Sequence, residues 1–198
     1  MNRFDELLGR TAARAARNGS TLPPVRPEQL KAAERLLGFP LHPLLATLYR
    51  QVGDGNFGPG PLLPLIGEDP EDEEFAVGSY LGRTSSEAAG PWWSWPIGVL
   101  PIADRGCNMF TCVDCRSEKG TVLLFDPHRT RDSLSRGWLV EADSLAAWLE
   151  SWLAGRGHHT DQAVDVARSV TQWTEASSRL YPDTTPSALS APDAEPQV

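Results

Sequence analysis

Residues 28–60 read EQLKAAERLLGFPLHPLLATLYRQVGDGNFGPG. The spacing of the prolines, glycines and apolar residues in this stretch predicts the first elements of the fold. Pro27 stands directly before it, at a position suited to the first turn of a helix. Apolar residues then recur at helical spacing as far as Gly38, which is a suitable C-cap. A second helix is predicted to begin near Pro43 and to end at Gly53–Gly55. The stretch therefore predicts two helices that lead into a glycine-rich turn.

The glycines of that turn raise the question of a phosphate-binding loop. Gly53, Gly55 and Gly58 have the G-x-G-x-x-G spacing. A phosphate loop, however, needs a strand before it and a helix after it, and a P-loop also needs a lysine. Here the predicted order is helix, loop, strand. We therefore interpret the glycines as a helix stop followed by turns.

Short apolar runs after the turn predict the sheet. The segment PLLPLIG (61–67) is the first strand candidate, and WPIGVLPIAD (95–104), CNMFTCVDC (107–115) and GTVLLFDP (120–127) follow it. GWLVEADSLAAWLESWLAG (137–155) predicts a strand and then a helix capped near Asp143. A further amphipathic helix is expected from about Asp161 to Leu180. This order predicts an α+β fold, with N-terminal helices and a C-terminal helix packed on a mostly antiparallel or mixed sheet.

The composition divides the chain into four parts. We expect an N-terminal helix and linker at residues 1–26, a core domain at 27–155, a helical extension at 156–181 and a disordered tail at 182–198, which is rich in proline, serine and alanine. No apolar run approaches the ~18 residues of a membrane span, and the N-terminus has no apolar signal segment. Sixteen of the 18 basic residues are arginine. We expect a bacterial, cytoplasmic protein.

The charge of the chain is strongly acidic, with a formal net charge of −8 and a pI of about 5.0. Proteins that bind nucleic acid usually carry a basic face, so direct nucleic-acid binding is disfavoured. Solubility alone is one explanation of the acidity, and a basic protein partner is the other. The acids concentrate in one run of seven residues, and repulsion between them requires solvation. Its six acids are Glu68, Asp69, Glu71, Asp72, Glu73 and Glu74.

Three cysteines are spaced C-x4-C-x2-C, at Cys107, Cys112 and Cys115. Together with His128 they could bind zinc, because three thiolates and one imidazole form a tetrahedral set. The spacing is not that of a paired zinc knuckle. Cysteine is also among the most frequently buried residues. We expect packed, reduced cysteines and keep the zinc site as the alternative.

No residue pattern points to catalysis. Ser85 and Ser86 stand beside Glu87 but lack the context of a nucleophile elbow. Acid–base catalysis needs one carboxyl group whose pKa is raised relative to its neighbours, and an exposed run of acids offers no means of raising one pKa selectively. The tryptophans of GPWWSWPIG (90–98) are either an interface anchor or core residues. We expect no catalytic residue, no resident metal and no cofactor.

The order of these segments resembles the SUKH superfamily, the domain shared by fungal Smi/Knr-type cell-wall synthesis regulators and many bacterial toxin-immunity proteins. The resemblance covers residues 27–154. It is carried by the two helices and the glycine turn of 28–60, the strand-like run at 61–67, the pair VLPIADRGCNMFTCVDC and GTVLLFDP, and the helix DSLAAWLESWL. The chain departs from the familiar pattern at His42 and Pro43 and in the turn that precedes Phe57.

The resemblance implies a non-catalytic protein-binding module. Its first implied role is that of an immunity protein that neutralises a toxin, for instance a nuclease. A housekeeping or regulatory scaffold of the Smi/Knr type is the alternative, and a zinc-binding protein is the second. The residues expected to meet a protein partner are those of the glycine turn, the acidic run and the adjacent tryptophans: Asp54, Asn56, Phe57, Glu68, Asp69, Glu71, Asp72, Glu73, Glu74, Trp92 and Trp93.

Overall fold

The computed structural model describes residues 3–19, 21–85, 93–156 and 170–181, and within them six helices flank one five-stranded sheet. None of the described helices is both long and apolar enough to span a membrane. The α+β fold expected from the sequence is confirmed. The helices are α1 (Arg3–Asn18), α2 (Pro27–Leu37), α3 (Pro43–Gln51), α4 (Ala76–Thr84), α5 (Leu145–Leu153) and α6 (Ala176–Leu180). The strands are β1 (Val99–Asp104), β2 (Phe110–Asp114), β3 (Val122–Phe125), β4 (Trp138–Ala142) and β5 (Thr171–Gln172).

Helix α2 begins and ends where the sequence predicts, and α3 begins at the predicted Pro43 but ends at Gln51, two residues before Gly53. Pro27 and Pro43 occupy first-turn positions, where a missing N–H costs nothing. Gly38 ends α2 in the left-handed conformation, with φ of 76°, and its N–H donates to the carbonyl of Glu34. The ring of His42 caps α3 by accepting from the N–H of Leu44. Local chemistry thus explains these helix ends.

The sheet is an antiparallel meander in which each strand pairs with the next along the chain. Strand β2, which lies between β1 and β3, is buried along its whole length. The turn between β1 and β2 is tight, because Arg105 and Met109 pair across it while residues 106–108 all adopt positive φ. Helix α4 lies against β1, and α5 lies against β4, α1 and α3.

Two predicted elements take another form in the structure. Residues 61–67 form no strand, because Pro61 and Pro64 have no N–H to contribute to a ladder. The segment makes one ladder-like bond instead, from the N–H of Leu63 to the carbonyl of Ile102 at 2.8 Å. Helix α5 does begin near Asp143, as expected, and its cap is the next residue, Ser144. Residues 171–172 form β5 where a helix was expected, and residues 157–169 lie outside the described part.

Helix α4 was not predicted, and it owes its position to glycine. A Cβ atom on Gly78 would overlap the backbone carbonyl oxygen of Asp72, and one on Gly82 would lie 2.7 Å from Oε1 of Glu73. Without side chains at these two positions, the preceding loop can lie directly on the helix. Because a backbone carbonyl cannot swing away as a side chain can, Gly78 is the more demanding of the two.

We predict that Gly78→Ala lowers the free energy of unfolding by about 1–3 kcal/mol, the usual cost of overpacking. Gly9→Ala is the matched control, because Gly9 is also helical but a Cβ there meets nothing within 4 Å. The control should be neutral or should gain up to about 1 kcal/mol from helix propensity. Urea unfolding of both variants tests this, and equal stabilities would contradict the close contact between the loop and α4.

Candidate functional site

The glycine turn after α3 is closed by its own backbone. Gly55 has φ of 91°, and a Cβ there would lie 2.7 Å from the carbonyl oxygen of Leu62. The N–H of Asn56 donates to that same carbonyl, and the N–H of Leu62 donates back to the carbonyl of Phe57. These N–H groups are therefore already used within the protein. The turn has the hydrogen bonding of a structural turn and not that of a phosphate cradle.

Two of the three turn residues expected to meet a partner have a structural contact instead. Phe57 is buried, with 2% of its surface exposed. Asp54 is half-buried, and its carboxylate accepts the N–H of Leu65 at 2.7 Å. Burial raises the pKa of Asp54 above its ordinary value. The side chain of Asn56, by contrast, is exposed.

The acidic run at residues 68–74, called the acidic loop below, is ordered by local turns. Oδ1 of Asp69 accepts the N–H of Glu71, and Oδ1 of Asp72 accepts the N–H of Glu74. The N–H of Phe75 also donates to the carbonyl of Asp72. Asp72 is partly buried and the other five acids are exposed. The backbone of the loop is therefore ordered, and five acidic side chains extend from it toward solvent.

Backbone hydrogen bonds close the base of the acidic loop. The N–H groups of Ala76 and Val77, at the start of α4, donate to the carbonyls of Pro64 and Leu65 at 2.9 and 3.0 Å. These bonds satisfy two helix N–H groups that have no partner within the helix. They also hold the chain before the loop against the chain after it.

Arg83 on α4 connects the acidic loop to the sheet. Its guanidinium lies 3.2 Å from Oε2 of Glu73 and donates to the carbonyl and hydroxyl oxygens of Ser79. The same guanidinium lies over the ring of Phe110, 3.9 Å from its centroid. Arg83 carries one positive charge, whereas Asp72, Glu73, Glu74 and Asp104 surround it. It therefore neutralises only part of their negative charge.

A groove runs beside the acidic loop, and we call it the acidic groove. It consists of two adjoining depressions of about 390 and 420 Å3 that share Glu73, Arg83, Asn108 and Phe110. One end is acidic and the other is aromatic. The acidic end adds Leu63, Asp72, Glu74 and Asp104, and the aromatic end adds Gly82, Trp93, Phe125 and Pro127.

The tryptophans divide between the groove and the core. Trp93 lines the groove, and its indole N–H donates to the carbonyl of Arg83 at 3.0 Å. Trp95 is buried, and its indole N–H donates to the carbonyl of Val99. Trp92 lies outside the described residues. Trp95 is therefore a core residue. Trp93 lies at the groove, and its contact with a partner stays a prediction.

A buried carboxylate that sequence reasoning missed supports the wall of the groove. The side chain of Glu141 is 1% exposed and lies 3.3 Å from Nη2 of Arg105. It also accepts from the hydroxyl of Thr111 and the indole N–H of Trp148. Arg105 stands at the base of the β1–β2 turn that carries Asn108. The cluster thus ties β4, β2 and α5 to the turn that borders the groove.

The cysteines do not converge with His128. Cys107 is exposed on the β1–β2 turn, Cys112 is buried in β2, and His128 is exposed beyond β3. Burial raises the pKa of the Cys112 thiol well above its ordinary value, and that of Cys115 to about 12. These shifts disfavour the thiolate that zinc needs. Among the described residues, no group of three or more histidine, cysteine, aspartate or glutamate side chains could hold a metal ion.

The comparison with protein families agrees with this architecture. The model of the SMI1 / KNR4 family (SUKH-1) matches residues 24–151, from the segment before α2 into α5. The chain belongs to this family, as the resemblance implied. SUKH domains are generally non-catalytic modules with immunity or regulatory roles. No significant match was found among curated proteins or solved structures.

The pKa of Asp54 leads to a prediction on stability. Because the folded pKa lies above the ordinary 3.8, the contribution of Asp54 is full below about pH 4 and is lost as the pH rises through the folded pKa. An asparagine side chain at this position would not titrate, and its amide oxygen would still accept from Leu65. The stability of Asp54→Asn relative to the native chain should therefore rise with pH and then level off at neutral pH.

Urea unfolding across the acid-to-neutral range measures this difference. Asp54→Ala is the control, because it removes the acceptor and should cost about 1 kcal/mol or more at every pH. A difference between Asp54→Asn and the native chain that does not change with pH would contradict the assigned burial of the carboxylate.

Proposed function

We propose that this protein is a non-catalytic binding module whose partner is a basic protein, and that it acts as a bacterial immunity protein that neutralises a toxin. The observation that carries the proposal is the acidic loop, which presents five exposed acids beside the acidic groove on a backbone ordered by two aspartate turns. Membership of the SUKH-1 family supports a binding or regulatory role. A nuclease is the toxin class that fits best, because its substrate-binding surface is basic.

The charge and the order of the acidic loop each favour binding of such a partner. A negative field speeds the encounter with a basic surface, most strongly at low salt. The turns and the closed base of the loop also reduce the ordering cost of binding, because the backbone of the loop is already ordered. The loop resembles a short stretch of nucleic-acid phosphates, because both present closely spaced negative charges. It would occupy a nuclease surface by mimicking the charge of the substrate.

The acidic groove provides room for a partner side chain. Its aromatic end, at Trp93 and Phe125, suits the apolar stem of a long side chain, while Asp72 and Asp104 at the other end suit a cationic head. Arginine and lysine combine these two properties. We therefore expect a basic side chain of the partner to enter the groove while neighbouring basic residues contact the loop.

A regulatory scaffold of the Smi/Knr type is the second candidate, and family membership favours it equally. The two roles differ in the partner. An immunity protein should restore growth to cells that produce its cognate toxin, and a scaffold should bind resident regulatory or cell-envelope proteins. A basic toxin encoded beside this chain would favour immunity.

We predict that the triple variant Glu68→Lys, Glu71→Lys and Glu74→Lys weakens partner binding at least about tenfold at low salt, because like charges then face the partner. These three side chains accept none of the turn hydrogen bonds described above. The partner is first captured with the tagged native chain from a host lysate and identified by mass spectrometry. Its affinity for each variant is then measured by calorimetry at two salt concentrations.

The matched control reverses Glu6, Glu28 and Glu118, which are exposed on α1, on α2 and in the β2–β3 turn. Each reversal adds two charges, so both triple variants take the net charge from −8 to −2. The control should retain most of the affinity and the salt dependence. Equal losses in both variants would mean that only overall charge matters, and no loss in the loop variant would remove the acidic loop from the interface.

A further inference from the structure

The segment Val170–Tyr181 lies beyond the family match, which ends at residue 151, yet it packs tightly on the matched domain. It contributes β5 and α6. Three of its side chains, Trp173, Ala176 and Leu180, are buried. The matched domain therefore presents a surface that this chain covers with twelve of its own residues.

The first half of the segment pairs with the edge of the sheet. β5 pairs with Leu139 and Val140 of β4, and both of its side chains are exposed, so main-chain contacts dominate this part. The amide of Gln172 donates to the carbonyls of Ser135 and Trp138 at 2.7 and 2.8 Å. Addition of a short strand to an exposed sheet edge is a recurrent mode of peptide recognition.

Trp173 continues the contact at the end of β5. Its N–H donates to the carbonyl of Trp138 at 3.0 Å, and the two indole rings lie edge to face with centroids 6.0 Å apart. Trp138 itself is fully buried and also contacts Trp95 and Phe125. Trp173 therefore covers one side of the aromatic core of the domain.

The second half of the segment is held by a charge pair. Arg179 donates from both terminal nitrogens to the carboxylate of Asp114, at 3.0 Å each, and from Nη2 to the carbonyl of Ile97. The side chain of Asp114 is only 4% exposed. Bidentate pairing of this kind is specific for arginine, because lysine cannot form the planar fork. The hydroxyl of Ser94 also donates to the carbonyl of Leu180.

We propose that the family domain of this protein contains a peptide-binding site, formed by the edge of β4, the ring of Trp138 and the carboxylate of Asp114, and that Val170–Tyr181 is its intramolecular ligand. The ligand class is a short strand followed by a helical turn, with a tryptophan and, six residues later, an arginine. The Asp114 end of the site is distant from the acidic groove, since Asp114 and Phe110 lie at opposite ends of β2. The Trp138 end contacts Phe125, which lines the aromatic end of the groove. A second protein with this pattern would bind by displacing the segment.

The test uses the full chain with a specific protease site inserted between residues 157 and 169. After cleavage, a fluorescently labelled synthetic peptide of residues 170–181 is added, and its binding is followed by anisotropy. The segment should stay associated after the cut, and the labelled peptide should exchange into the site. Peptides with Arg179→Ala or Trp173→Ala should bind at least about tenfold more weakly, since the first loses the bidentate pair with Asp114 and the second loses a buried indole ring.

A peptide with Ser177→Ala is the matched control, because Ser177 is exposed, and it should bind like the native peptide. Equal binding of the Arg179→Ala and native peptides would overturn the proposal. So would failure of the cleaved chain to rebind the peptide. Loss of the folded circular-dichroism spectrum after cleavage would also overturn it, because the segment would then be an inseparable part of the core.

Discussion

The backbone turn that follows α3 is the constraint on which the arrangement of the other elements depends. Gly53 packs so closely that a Cβ atom would overlap the side chain of Thr21 and approach the carbonyl of Leu22. The carboxylate of Asp54 then holds Leu65, and the N–H of Leu63 reaches Ile102 of β1. One short segment thus fixes the end of α3 relative to the first strand.

The same segment determines where the acidic loop stands. The carbonyls of Pro64 and Leu65, at the end of this segment, accept from the first N–H groups of α4. The two ends of the acidic loop are therefore held next to each other. Six acids so close in sequence repel one another. The fixed base, the two aspartate turns and the pair between Glu73 and Arg83 hold the loop despite this repulsion. The fold thereby keeps a concentration of negative charge at one place on the surface.

The sequence predicts those elements whose signals are local. α2 and α3 carry proline at their starts, and Gly38 ends α2 with the positive φ that favours glycine. β1 to β4 are short apolar runs separated by turns, so their existence was predictable although their register was not. The acidic loop was also evident, because a run of six acids can only be solvated.

The elements that escaped prediction depend on distant partners. α4 has two glycines, and its first N–H groups are capped by carbonyls from residues 64 and 65, so its sequence carries no cap signal. β5 consists of two residues with exposed side chains and therefore shows no hydrophobic pattern. Glu141 is buried by partners from three other elements. The neighbouring indoles of Trp93 and Trp95 look alike in sequence, and only tertiary packing separates the groove residue from the core residue.

Hydrogen exchange measured by mass spectrometry, on the full chain alone and bound to its captured partner, tests the central claim most directly. The account predicts that the partner slows exchange in the acidic loop and in the β1–β2 turn at residues 104–110, which together border the acidic groove. Exchange in α1 should not change. Protection confined to α1 or to the segment 170–181, with the acidic loop exchanging as in the free protein, would contradict the account.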